Sequence, residues 1–307
     1  MPRPRIGLAL GSGSARGWAH IGVIETLAKA GIEPDIVCGT SIGAFVGAAY
    51  VSGQLATLKT LTQALTWREI VGYLDVRLRG GGLIDGKQIV ALLHRINIAA
   101  RIEDCGKPFA AIATDLESGR EIWLRDGPMD EAVRASIALP GIFSPARHRE
   151  RWLVDGGLVN PVPVSACRAL GADIVIAVNL NGDIVEPRAR QPVKRMLGGM
   201  TPIPPEFLRR LSDQIPAAIR QQAAAIAPAL LQSAPSKPAY FDVLANSINI
   251  MQDQITRSRL AGEPPHVMLM PRQRPIGLLE FNRAEEAIAE GAASVEQALP
   301  ALRRYVQ

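Results

Sequence analysis

The apolar positions of this chain come in short runs that stop at glycine, each followed by a stretch of helical period. Ile6 to Leu10 is apolar or small throughout and is closed by Gly11, which marks a buried strand. "WAHIGVIETLAKAG" follows with apolar residues at helical spacing and stops at Gly31, a glycine suited to a helix C-terminus. Asp35 to Cys38 reads as a second strand and Ile42 to Val51 as a second helix, closed by Ser52-Gly53. The first fifty residues therefore read β-α-β-α, which predicts a mainly parallel sheet covered by helices.

Further along, residues 54–105 read as mostly helical, interrupted by "RLRGGGLIDG". Phe109 to Thr114 reads as a strand with Glu121 to Leu124 as its antiparallel neighbour. Asp130 to Ser136 reads as a short helix with Asp130 near its cap. Trp152 to Val154 is a brief strand running into Asp155-Gly156-Gly157. A helix around Val164 to Leu170 and the strand "DIVIAVNL" extend the α/β pattern. Beyond Gly182 the pattern changes. Residues 183–240 are rich in proline, arginine, glutamine and alanine, and read as a helical insertion or lid, or as a plain solvated insertion. "FDVLANSINIMQDQITRSRL" is a long amphipathic helix, "HVMLMP" a late strand and Arg283 to Leu299 a last helix. No repeat or linker divides the chain, so residues 1–307 read as one domain carrying that insertion.

Composition adds little to this picture. The chain is 48% hydrophobic and only 5% aromatic, which suits close helix–sheet packing. Net charge is +5. Ordinary surface bias and attraction to an anionic membrane both stand as readings of that excess. No cluster of lysine and arginine interleaved with aromatics occurs, so no nucleic-acid partner is expected. Cys38, Cys105 and Cys167 have no metal-type spacing, which fits a reducing cytoplasmic location, with peripheral contact at the inner membrane face. No run reaches the length needed to span a bilayer.

The chemistry concentrates in three places. Gly39-Thr40-Ser41-Ile42-Gly43 joins a strand to a helix, the arrangement that lifts a serine hydroxyl above a sheet edge. The bland alternative is a small-residue helix cap. Gly11-Ser12-Gly13-Ser14-Ala15-Arg16-Gly17 makes a second strand-to-helix loop with backbone N–H groups free for negative charge. It could serve a dinucleotide or form an oxyanion hole for Ser41. The dinucleotide reading lacks an acidic residue at the end of the second strand, and two adjacent parallel strands would set the two loops side by side. Ser41 needs a base. Of the histidines, His20, His94 and His148 sit in a helix, a polar helical region and an arginine-rich loop. Only His266 follows the chain order of α/β-hydrolases. Asp155, at the end of a strand and followed by two glycines, is the better candidate, although Asp-Gly is also a common turn.

Together these segments resemble the patatin-like phospholipase family, in the manner of its short bacterial RssA-like branch. "GLALGSGSARGWAHIGVIE", "GTSIGAFVGAAY", "ASIALPGIFSP" and "WLVDGGLVNPVPV" carry the resemblance in the family's order. It implies a three-layer α/β/α sandwich and hydrolysis of lipid acyl esters with no metal or organic cofactor. It implies Ser41 as nucleophile, Asp155 as base, and an oxyanion hole from Gly11, Ser12 and Gly13. Ser14, Arg16, Gly17, Gly39, Gly43, Gly156 and Gly157 belong to the same motifs. Arg16 would orient the loop or attract a lipid phosphate. Serines stand at 12 and 14 where the family's loop usually has glycine. Gly157 stands where alanine is also common. A regulatory or interaction protein on the same fold is the alternative function.

Overall fold

The computed structural model describes residues 3–66, 69–70, 85–182, 240–273 and 275–306. The expected insertion at 183–240 lies outside them, except for Tyr240, which opens a helix. Eight strands form one sheet: β1 Ile6–Leu10, β2 Ile36–Thr40, β3 Phe109–Asp115, β4 Glu121–Leu124, β5 Ala146–His148, β6 Arg151–Asp155, β7 Ile174–Val178 and β8 Val267–Leu269. Their order is β5-β6-β3-β2-β1-β7-β8, with β4 also on β3. β3, β2, β1, β7 and β8 run parallel. β4, β5 and β6 make the antiparallel end of the sheet.

Period-two alternation puts the core on both faces. Leu8, Leu10, Val37 and Val178 face helices α1 Ala19–Lys29, α2 Ile42–Val51 and α5 Met129–Ser136, and the last helix, α8 Ala284–Val306. Ala9, Ile36, Cys38, Val175 and Ala177 face α6 Val164–Ala169 and the end of the long helix α7 Tyr240–Gly262. Two covered faces give the three-layer α/β/α sandwich. On the first face α1 and α8 cross at glycines. A Cβ on Gly22 would collide with the Ile288 carbonyl, and one on Gly291 with the Ala19 carbonyl.

Residues 54–105 hold α3 Leu55–Gln63 and α4 Lys87–Arg95. Asp130 is not the cap of α5, whose N-cap position is Pro128 without a side-chain bond. β5 had no sequence signal, because a three-residue edge strand is too short for any period to show.

The pairing of β3 decides what meets at the top of the sheet. β2 uses β3 up to Ile112, which faces Thr40. β6 uses Ala113 to Asp115, with Asp155 facing Ala113. β4 spans Ala111 to Thr114 and so must hold the opposite edge of β3. β2 and β6 therefore share one edge and run head to head, ending at Thr40 and Asp155.

Candidate active site

Ser41 sits where β2 gives way to α2, with φ 57° and ψ −122°. A positive φ on a non-glycine residue is strained, by about 1–3 kcal/mol, and recurs at functional turns. The flanking glycines do not supply the unusual dihedral, since neither has a positive φ. They supply room. A Cβ on Gly43 would collide with the Leu10 carbonyl, and one on Gly39 with the backbone of Gly43 and Ala44. The elbow is also tied from outside. Ser41 N–H donates to Ser136 Oγ at 2.8 Å, and Ser136 Oγ–H donates to the Ile112 carbonyl at 2.5 Å. Thr40 Oγ1–H donates to the Asn160 carbonyl at 2.8 Å. Sequence reasoning had given Ser136 no role, because a lone serine on a helix carries no signal of what it will face.

The head-to-head strands bring Ser41 Oγ to 2.5 Å from Asp155 Oδ2. The other carboxylate oxygen accepts Gly157 N–H at 2.7 Å, and Thr114 Oγ1–H holds the Asp155 carbonyl at 2.8 Å. Asp155 is only 1% exposed. Burial pushes its carboxyl up to about 6, against the two hydrogen bonds that pull it down. A carboxylate that far above its usual range is a better proton acceptor than one in water.

The histidines lie elsewhere. His20 is buried beneath the glycine loop, where burial lowers its pKa to about 4 and Nε2 meets the Gly11 carbonyl at 2.8 Å. His94 pairs with Asp130, His148 lies near Glu131, and His266 Nδ1 accepts Val175 N–H. None of the four lines the pocket at Ser41.

The glycine loop lies beside the elbow as expected. A Cβ on Gly17 would collide with Ile42, the residue after Ser41. Two of the three expected oxyanion donors are already committed, however. Gly11 N–H donates to the Val178 carbonyl at 3.1 Å and Ser12 N–H to the Pro161 carbonyl at 2.8 Å. The β1 ladder extends one residue further than the glycine suggested, and the 156–161 loop takes the next amide. Among the described residues no acceptor meets the amides of Gly13, Ser14 and Ile42, and all three residues line the pocket.

A C-terminal strap, residues 276–281, grips the loop from the far side. Ser14 Oγ–H and Ala15 N–H both donate to the Leu278 carbonyl, at 2.6 and 3.1 Å. Arg16 Nε–H donates to the Ile276 carbonyl at 2.8 Å, and Trp18 Nε1–H to the Phe281 carbonyl at 3.1 Å. Arg16 is 6% exposed. Its buried bond to the strap supports the loop-orienting role over attraction of a lipid phosphate. Gly156 lets the chain pass close to β3, since a Cβ there would collide with the Ile112 carbonyl.

Beside Ser41 opens a cavity of about 130 Å³. Its walls are chiefly apolar, with Trp18, Phe45, Ile137, Phe143, Ile248 and Phe281 prominent. No lysine, arginine or histidine is among the described residues that line it. Among the described residues no three His, Cys, Asp or Glu side chains converge as a metal site, and no helix is long and apolar enough to cross a membrane.

Residues 8–168 match the model of a family described as patatin-like phospholipase. An NTE family protein of Mycobacterium bovis is 34% identical over 331 aligned positions, covering 97% of this chain and 92% of its own. The human patatin-like phospholipase domain-containing protein 6 is 34% identical over 182 positions, covering 57% of this chain and 13% of its own. Among solved structures, VipD from Legionella pneumophila aligns with a TM-score of 0.45 and 12% identity, over 97% of this chain and 67% of that one.

Proposed function

The chain belongs to the patatin-like phospholipase family and is a lipid hydrolase, and from that premise we propose that it cleaves acyl esters with a Ser41–Asp155 dyad through an acyl-enzyme. The observation that carries this reading is the 2.5 Å contact between Ser41 Oγ and a buried carboxylate at the polar end of an apolar cavity. Asp155 Oδ2 takes the hydroxyl proton as Ser41 Oγ bonds to the ester carbonyl carbon. The carbonyl electron pair moves to its oxygen, where the N–H groups of Gly13, Ser14 and Ile42 would receive the charge. Cleavage of the carbon–alkoxide bond returns that proton from Asp155 to the departing alcohol. Water then repeats the sequence, giving its proton to Asp155 and releasing the fatty acid and Ser41. A carboxylate does this because it is raised, dry and already in contact with the hydroxyl.

The apolar cavity suits the acyl chain of a lipid. The dyad chemistry itself calls for no metal or organic cofactor. The thiols of Cys38, Cys105 and Cys167 and the net charge of +5 support a cytoplasmic protein that meets anionic membrane surfaces. Hydrolysis of a short-chain p-nitrophenyl ester by wild type, Ser41→Ala and Asp155→Asn tests the dyad. Both folded variants are expected to fall to background. Full activity in Asp155→Asn would remove the aspartate from the mechanism.

A further inference from the structure

The long helix α7 lies outside the residues matched by the family model, yet two of its amide residues, Asn249 and Gln252, line the cavity beside Ser41. Asn249 and Gln252 are one turn apart and only 4% and 5% exposed. Gln252 Oε1 accepts Ser12 Oγ–H at 3.0 Å and Asn181 Nδ2–H at 3.1 Å. Those two donors fix the amide so that Nε2 points the other way, toward Gly157 and the dyad. A Cβ on Gly157 would collide with Gln252 Nε2 and would stand 3.0 Å from Asp155 Oδ1. The missing methyl is therefore what lets the amide approach the base. Among the described residues the hydrogen bonds of the Gln252 side chain all go to Oε1, and neither Gln252 Nε2 nor the Asn249 amide has a hydrogen-bond partner. Both amides line the cavity and are not sealed from it, so a ligand there can take the place of water as their hydrogen-bond partner. Two positions that depart from the resembled motifs, Ser12 and Gly157, both face Gln252.

We propose that Asn249 and Gln252 form the subsite for the alcohol portion of the ester, and that this subsite selects alcohols carrying a free hydroxyl next to the ester oxygen. The proposal rests on the hydrolase reading above. Proton return decides the placement: the departing oxygen must lie against the Asp155 carboxyl that protonates it, and Gln252 Nε2 flanks that carboxyl. The acyl chain has the apolar walls, so the polar amides are left for the alcohol. Their chemistry decides the selectivity. Two neutral amides, with no lysine, arginine or histidine among the described lining residues, match hydroxyl groups and give no counter-ion to a charge.

Two soluble esters of one acid test this: glyceryl 1-monobutyrate and ethyl butyrate. kcat/KM for both is measured on the full chain as wild type, Gln252→Met and Asn249→Leu, with Tm as the check on folding. The ratio of glyceryl to ethyl ester is expected to fall about tenfold in each variant, the size of one good neutral hydrogen bond. A merely structural role would lower both esters equally and leave the ratio fixed, and that result overturns the proposal. Among the described residues the Asn249 side chain makes no hydrogen bond, so Asn249→Leu decides the matter if Gln252→Met does not fold. If wild type turns over neither ester, the hydrolase reading falls and takes this subsite with it. Turnover with an unchanged ratio sinks the subsite alone.

Discussion

The N-terminal half of the site and its C-terminal half are held by different kinds of contact. The elbow, the glycine loop and the Asp155 turn are built by close approach of backbone to backbone. Gly39, Gly43 and Gly156 stand where any side chain would strike a carbonyl or a backbone neighbour. The C-terminal half reaches in through hydrogen bonds, using the carbonyls of Ile276, Leu278 and Phe281 and the amide of Gln252. Close approach admits one residue type and so leaves a motif. A carbonyl can be offered by any residue, so the strap leaves none. In the proposed reaction the bond-making groups sit in the first half, and the second half holds the loop and the alcohol.

The largest expected effect breaks the first half at its centre. Ser41→Ala should lower kcat by about 10⁴-fold or more, and Asp155→Asn by about 10³–10⁴-fold, read with a soluble ester. The pH profile tests the same contact more gently. With the Asp155 carboxyl at about 6, kcat/KM should rise about tenfold per pH unit below pH 6 and level off above it. A profile that levels near pH 4 would mean that the base is not buried as described.

The same carboxyl also sets a stability trend. Its folded pKa lies above the unfolded one, so the folded state holds the proton more tightly. Its contribution to stability is present near pH 4 and is lost as the pH rises through 6. Asp155→Asn should therefore gain up to about 3 kcal/mol over wild type at pH 8, with the gap closing toward pH 4 in urea titrations. In the second half, Arg16→Met removes a buried bond to Ile276 and should cost about 2 kcal/mol, seen as a lower urea midpoint at constant slope. The smallest effect is Gly157→Ala. The new methyl displaces Gln252 while leaving the Gly157 N–H in place, and should cost only about 1 kcal/mol of transition-state stabilisation on glyceryl monobutyrate.

How much of the site could be read beforehand follows from the same division. Ser41 and Asp155 were legible because each lies at a strand end beside glycines, on both sides of Ser41 and just after Asp155, and the structure brings the two together. The proposed oxyanion donors were legible only as a loop. Whether the amide of Gly11 or that of Ser14 faces the cavity depends on how far β7 and the Pro161 carbonyl follow β1, and pairing between segments so far apart in the chain has no local signature. Ser136, Asn249 and Gln252 were missed for a related reason. Each is an ordinary polar residue on a helix, and its meaning comes from what stands opposite. His266 had the chain order of a triad member, yet its ring accepts a backbone N–H from β7 on the far side of β1.

By itself the sequence determined the β-α-β-α start, the parallel sheet and the two strand-end turns that carry Ser41 and Asp155, because period, glycine punctuation and turn chemistry act over a few neighbours. The tertiary structure decided that β2 and β6 share one edge of β3 and end face to face. It decided which amides remain free beside Ser41, and that a strap and a helix from beyond the matched residues close the cavity. Those outcomes depend on strand register and on contacts between residues far apart in the chain. They are settled only when the whole sheet and both of its covering layers are packed together.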